Sequence, residues 1–230
     1  MSTSRLSLFH DCHRGERCVL VCNGPSLNRM ELDFLRGEIV FGLNKIHLGL
    51  EKFGFYPRYL VAVNDKVIQQ SAEVYRRMTA IKFLSDSCAG LVPEDAFTYH
   101  IRTEGLPERF YRDITQGVRG GHTVTHAAFQ IIRYMGFREV VVIGMDHNFT
   151  ASGKPNEELH MKGADPNHFS PDYFRGQKWD APNLAESEVS YRLARQIFEE
   201  EGRRIVDATL GGACDVFEKA DYRQVFGSGK

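Results

Sequence analysis

The stretch VLVCNGPSL, residues 19–27, carries an apolar run straight into Asn-Gly-Pro-Ser. Gly24 allows close backbone approach, and Pro25 fixes φ where a helix would begin. The N–H groups around Ser26–Asn28 would then face an anion, and Asn23 offers both donors and acceptors suited to a base or ribose. The simpler reading of the same residues is an Asx-type turn before a capped helix. Similar endings recur at Gly42-Leu43-Asn44-Lys45, at Asn64-Asp65-Lys66 and at Gly144-Met145-Asp146. Four apolar runs thus end in Asn or Asp, and in a parallel sheet those ends share the rim where ligands bind. Asp65 and Asp146 are hard oxygen ligands that suit Mg²⁺ against a phosphate, although Asp65 is equally placed to cap a helix.

A second glycine-rich helix entry is TQGVRGGHTVTHAAFQ, residues 115–130. Gly117, Gly120 and Gly121 make a flexible approach, and Arg119 and Thr123 are phosphate-contact candidates. His122 and His126 have the i, i+4 spacing of zinc ligands, but no third ligand accompanies them. From His147 to Asp180 no period persists, yet Phe149, Phe169, Tyr173, Phe174 and Trp179 make the segment too aromatic for a solvated linker. It reads as a mobile lid over residues 147–180. Its cations, among them Lys154, Lys162, Arg175 and Lys178, are suited to closing on a leaving phosphate, and His168 in PNHFSPDYF is the acid/base candidate. Cys18 and Cys22 share a strand face and read as small buried hydrophobes.

The elements that must position these residues form an α/β alternation. Apolar, β-branched runs at 17–22, 38–44, 59–63, 80–84, 138–144 and 203–208 predict strands, with 97–101 a weaker one. Their near-continuous apolar character predicts a mostly parallel, Rossmann-like sheet covered by helices on both faces. Ser26 is placed to cap a helix over 27–36 closed by Gly37, and Asp65 one over 66–78. Helices over 123–135 and 186–201 are closed by Gly136 and Gly202. The expectation is one domain over residues 1–230 with the lid inside it.

Composition narrows the function classes. With 29 Lys and Arg against 30 Asp and Glu, the formal net charge is −1, unlike a sequence-independent nucleic-acid binder. No run approaches the roughly 18 apolar residues of a membrane span, and the N-terminus lacks a signal-peptide core. Five cysteines without framework spacing suit a reducing compartment, so a cytoplasmic protein is expected.

Four stretches together carry a resemblance: CNGPSL at 22–27, the Asn after the second strand, YLVAVND at 59–65, and RGGHTVTHAAFQIIRYMGFREVVVIGMD at 119–146. The chain resembles the MptE-like family, named for the archaeal 6-hydroxymethyl-7,8-dihydropterin diphosphokinase. It is more distantly similar to the bacterial sialyltransferases of glycosyltransferase family 42. The sialyltransferase likeness implies a CMP-activated sugar donor, with Asn23, Gly24, Pro25, Ser26 and Asn44 around the nucleotide and a lid histidine, here His168, as general base. It also implies lid tyrosines on the leaving phosphate, and this lid has one tyrosine, Tyr173. The pterin enzyme instead implies ATP and Mg²⁺, with Asp65 and Asp146 at the metal.

The resulting expectation is a transferase moving an acidic sugar from a CMP-linked donor to a surface-glycan acceptor, with no metal cofactor. Asn64, Gly117, Thr123 and Asp146 join the nucleotide contacts, and Lys162, Tyr173 and Arg175 the phosphate contacts. The alternatives are an ATP- and Mg²⁺-dependent diphosphokinase acting on a hydroxymethylpterin-like alcohol, and a non-catalytic nucleotide- or glycan-binding module.

Overall fold

The computed structural model describes residues 4–105, 109–150 and 153–227. Among the described residues twelve strands form: β1 (Arg17–Val21), β2 (Val40–Leu43), β3 (Tyr59–Ala62), β4 (Ile81–Ser85), β5 (Thr98–Ile101), β6 (Thr103–Glu104), β7 (Val118–Arg119), β8 (Glu139–Ile143), β9 (Glu158–His160), β10 (Lys178–Asp180), β11 (Arg204–Asp207) and β12 (Glu218–Lys219). The helices are α1 (Leu50–Phe53), α2 (Asp65–Arg77), α3 (Val124–Tyr134), α4 (Leu184–Glu200) and α5 (Tyr222–Phe226). Eight strands make one parallel sheet in the order β12-β11-β8-β1-β2-β3-β4-β5. The fold is the Rossmann-like α/β architecture that the strand pattern predicts.

Strand residues alternate between two apolar layers, which is why the runs are apolar throughout. Cys18, Leu20, Phe41, Tyr59 and Phe83 pack on one face with residues of α3 and α4. Val19, Val21, Val40, Leu60 and Leu84 pack on the other with α2. Both predicted strand cysteines lie in the first layer. In the central sheet the strand missed from sequence is β12, two exposed charged residues with no apolar signature; the short β6, β7, β9 and β10 outside that sheet were missed as well.

Two helix starts differ from the sequence reading. Residues 27–36 form no continuous helix; two 3-10 turns, Pro25–Arg29 and Asp33–Gly37, flank an extended Met30. Ser26 does not cap them, because its hydroxyl donates to Asp146 instead. In α2 the cap is Asn64, whose Oδ1 accepts from Val67 N at 3.2 Å, and Asp65 is the first helical residue.

The described residues of the 147–180 segment, read from sequence as a lid, are packed against the sheet. β9 and β10 pair as an antiparallel ribbon, and Phe169, Tyr173, Phe174 and Trp179 are buried in the second apolar layer. Phe169 N donates to Asn23 O at 2.9 Å, and Asn28 Nδ2 donates to Phe169 O at 2.8 Å, which fastens the segment to the strand rim. No described helix is long and apolar enough to cross a membrane.

Candidate functional site

From β1 the sheet grows through β2 to β5 on one side, and through β8, β11 and β12 on the other. The order therefore reverses beside β1, and beyond that edge lies a cleft of about 580 Å³. The ends of β1, β2, β3 and β8 line its floor, the turn before α3 one wall, and the 147–182 segment the other.

Two asparagines on the floor present unused acceptors. Asn23 donates from Nδ2 to Leu43 O at 3.2 Å, while its Oδ1 is buried without a partner. Asn44 holds a left-handed backbone, φ 46°, and its Oδ1 is likewise buried and unpartnered. A buried carbonyl oxygen without a donor costs about 1–3 kcal/mol. A ligand with N–H or O–H groups would recover that cost. Asn64 also lines the cleft, with its Oδ1 occupied in capping α2.

The turn after Cys22 holds an anion, but one supplied by the protein. Ser26 N donates to Asp146 Oδ1 at 2.9 Å, and Ser26 Oγ donates to Asp146 Oδ2 at 2.6 Å. Burial pushes the Asp146 carboxyl above its ordinary range, and the Ser26 bonds and Arg29 pull it back. Gly24 is needed because a Cβ there would overlap the Asp146 carboxylate and stand 2.6 Å from Gly144 O. Pro25 and Ser26 are thus structural and do not line the cleft; Gly24 and Asp146 line it with Asp146 already paired.

The catalytic candidate from sequence is well placed. His168 lines the cleft, and its Nδ1 lies 2.8 Å from Oδ2 of Asp165, whose side chain is fully buried. Asp165 Oδ1 also accepts from Asn167 N at 2.9 Å, so the carboxylate is fixed from two sides. The imidazole stacks on Tyr173 with centroids 3.9 Å apart and planes within 4°, and meets the edges of Phe149 and Phe174. A carboxylate on Nδ1 sets the tautomer in which Nε2 is the basic nitrogen. Behind the stack, Lys45 is buried and donates to Tyr173 O at 2.8 Å and to Gln177 Oε1 at 2.5 Å. Loss of solvent lowers its pKa to about 8, against a smaller raising effect of Asp165.

Other candidates are not brought to the cleft. Gly117, φ 125°, packs against the Arg102 carbonyl, and Arg119 pairs with Glu104 at 2.9 Å. Thr123 does line the cleft, although its Oγ1 caps α3. His122 lines the cleft, whereas His126 is buried with Nε2 2.8 Å from Arg109 O, so the two do not converge on a metal. Lys162 and Arg175 are exposed away from the cleft, with Arg175 paired to Asp172. Tyr173 lines it, but its phenolic oxygen accepts from Lys45 N at 3.3 Å.

The proposed metal pair does not form. Asp65 accepts from Ser87 Oγ at 2.6 Å outside the cleft, and both Asp146 oxygens belong to Ser26. Among the described residues no group of three or more His, Cys, Asp or Glu is placed to hold a metal. The residues therefore do not fit Mg²⁺ at Asp65 and Asp146.

Three features escaped the sequence reading. Asp165 has a local signal, standing three residues before His168. The burial of Lys45 has none. Nor does the pairing of His147 Nε2 with Glu188 Oε1 at 3.2 Å, which joins residues 41 apart.

A parallel sheet with a cleft at its order reversal, acceptors on the floor and a histidine–carboxylate pair on one wall defines a Rossmann-like α/β protein. The chain belongs to the MptE-like family: the model described as 6-hydroxymethylpterin diphosphokinase MptE-like matches residues 2–152. In fold it is similar to the MAf glycosyltransferase from Magnetospirillum magneticum AMB-1, with a TM-score of 0.57 and 12% identity over 95% of this chain. That stretch is 37% of the glycosyltransferase chain, so this chain spans well under half of its neighbour's length. No curated protein sequence matches the chain. Family and fold together support a transferase.

Proposed function

We propose that this protein is a glycosyltransferase that moves an acidic sugar from a CMP-activated donor to a surface-glycan acceptor without a metal cofactor. The observation that carries the reading is the Asp165–His168 pair in the same cleft as the unpartnered oxygens of Asn23 and Asn44. Those acceptors suit the amino group of a cytosine or the hydroxyls of a ribose. With Nδ1–H donated to Asp165, His168 Nε2 takes the proton of the acceptor hydroxyl. The acceptor oxygen bonds to the anomeric carbon as the bond from that carbon to the phosphate oxygen breaks. The electron pair stays on that oxygen, and CMP leaves.

The charge balance of the cleft favours one phosphate over three. Lys66 is held by Asp180 at 2.5 Å and Glu158 at 2.6 Å, and Lys178 by Glu158 at 2.7 Å. No arginine is among the described residues lining the cleft. A nucleoside triphosphate would bring about four negative charges against lysines already neutralised, with no carboxylate pair to seat its Mg²⁺. The five unpaired cysteines fit a reducing compartment, and the proposal places the enzyme in the cytoplasm.

The family description favours the second reading, a diphosphokinase using ATP and Mg²⁺. Calorimetric titration with CMP, CDP, CTP and ATP, each with Mg²⁺ and with EDTA, separates the two. Preference for CMP unchanged by EDTA is expected. Mg²⁺-dependent preference for ATP would overturn the sugar-transfer reading, and binding of none would leave a non-catalytic module.

A further inference from the structure

The neutralised lysines and the occupied hydroxyl of Tyr173 leave open what meets a ligand's phosphate. His147, four residues past the end of β8 and lining the cleft, supplies an answer. Its backbone is left-handed, φ 55°, a conformation a histidine adopts only where its surroundings hold it. The side chain is 7% exposed, and its Nε2 lies 3.2 Å from Glu188 Oε1 on α4. Its ring tilts toward Tyr191, also on α4, at 6.0 Å. Among the described residues Nδ1 has no hydrogen-bond partner.

Between the Glu188 carboxylate and a bound phosphate the His147 ring would have an anion at each nitrogen and would donate an N–H to both, whereas at His168 only one nitrogen faces a carboxylate. We propose that His147, held by Glu188, is the phosphate-contacting cation of the cleft, donating from Nδ1 to the nucleotide's phosphate. This rests on the cleft binding a nucleotide, but not on which base that nucleotide carries. The two histidine–carboxylate pairs then divide the work: Asp165–His168 handles the acceptor proton, and Glu188–His147 receives the charge that builds on the leaving phosphate. A donor held in place where charge develops acts more strongly than one recruited from solvent.

The test compares each nucleotide with its nucleoside, because their affinity ratio isolates the phosphate. CMP against cytidine and AMP against adenosine are titrated calorimetrically into wild type, His147→Asn, Glu188→Gln and His168→Asn. Asparagine is chosen at 147 because it tolerates the left-handed backbone, and Glu188→Gln lies on a helix surface where folding is safe. Losing a charge-assisted hydrogen bond should lower the nucleotide-to-nucleoside ratio about tenfold in His147→Asn. Glu188→Gln should lower it by a smaller factor, and His168→Asn should leave it unchanged. An unchanged ratio in both His147→Asn and Glu188→Gln overturns the proposal, as does an equal loss of nucleotide and nucleoside. If the AMP series binds and the CMP series does not, the donor assignment falls while the role of His147 is still decided by the AMP ratio. Failure of all four ligands to bind wild type overturns both.

Discussion

Replacing Gly24 by alanine tests how the nucleotide turn is built. Gly24 has φ −71° and ψ 157°, which any residue adopts, so alanine meets no backbone strain. By unfolded-state entropy alone the change would stabilise by about 0.4–1 kcal/mol. Space decides otherwise. The new Cβ would overlap the Asp146 carboxylate and stand 2.5 Å from its Cγ and 2.6 Å from Gly144 O. Either Asp146 swings off Ser26, losing two hydrogen bonds worth about 1.5–3 kcal/mol each to a charged group, or the β1 and β8 ends part at an overpacking cost of about 1–3 kcal/mol. The cheaper route sets the cost, so the expected loss is about 1–3 kcal/mol, a sizeable share of a typical domain's stability. Urea denaturation followed by circular dichroism measures it, with Asp146→Ala and the double variant completing a cycle. Removing the carboxylate relieves most of the overlap, so the double variant should be more stable than the summed single losses by about 1 kcal/mol. A Gly24→Ala protein within about 1 kcal/mol of wild type, or strictly additive losses, would refute this account of the turn.

Asp165→Asn keeps an acceptor for Asn167 N but turns an amide NH₂ toward His168 Nδ1, which places the ring proton on Nε2 and removes the base. Turnover, read as CMP release, should fall about 10²-fold or more with donor affinity within twofold, and an unchanged turnover would remove Asp165 from the mechanism. Lys45 carries a pH signature. Its folded pKa, lowered to about 8, lies below the roughly 10.4 of an unfolded lysine, so between those values the unfolded chain holds more protons and this contribution to stability rises with pH. Between about pH 7.5 and 9.5 the urea midpoint of Lys45→Met should rise less, or fall more, than that of wild type, since the buried cysteines, whose raised pKa values lower stability as pH rises, contribute equally to both. Equal slopes in both proteins would show that Lys45 is not desolvated.

Reading the strands from sequence succeeded because each is a short apolar run buried on both faces, a pattern that survives any tertiary detail. The clustering of Asn23, Asn44 and Asn64 at one rim was legible for the same reason, since parallel strands point their carboxyl ends one way. What failed is instructive in kind. Ser26 looked like a helix cap and an anion contact, and it is an anion contact, but for a carboxylate 120 residues away. Asp65 and Asp146 looked like partners because both follow strands, yet side-chain direction at a strand end is set by local bonds that periodicity does not report. The reading of 147–180 as aperiodic missed the β9–β10 ribbon, because two three-residue strands with mixed exposure leave no period to find. Gly117, Lys162 and Arg175 were chosen by residue type alone, and type does not say which side of a segment faces the cleft.

The division of the site along the chain bears on how far the family description reaches. The family match ends at residue 152. Inside it lie the floor asparagines, the turn before α3 and His147, everything that would hold a nucleotide and its phosphate. Outside it lie Asp165, His168, Tyr173 and Glu188, the groups that would set protonation and contact an acceptor. On the proposed reading the matched region carries the nucleotide contacts and says little about the group transferred. The bonds among Gly24, Ser26 and Asp146 fix the geometry of that half. The acceptor half is carried by one irregular segment between β8 and α4, whose contacts with the rim run largely through aromatic packing and backbone bonds. Such a segment can change its polar residues while keeping its anchors. On the proposed reading this segment supplies the base for sugar transfer, Asp165 and His168, whereas diphosphate transfer would need Asp65 and Asp146, inside the matched region, free to hold a metal.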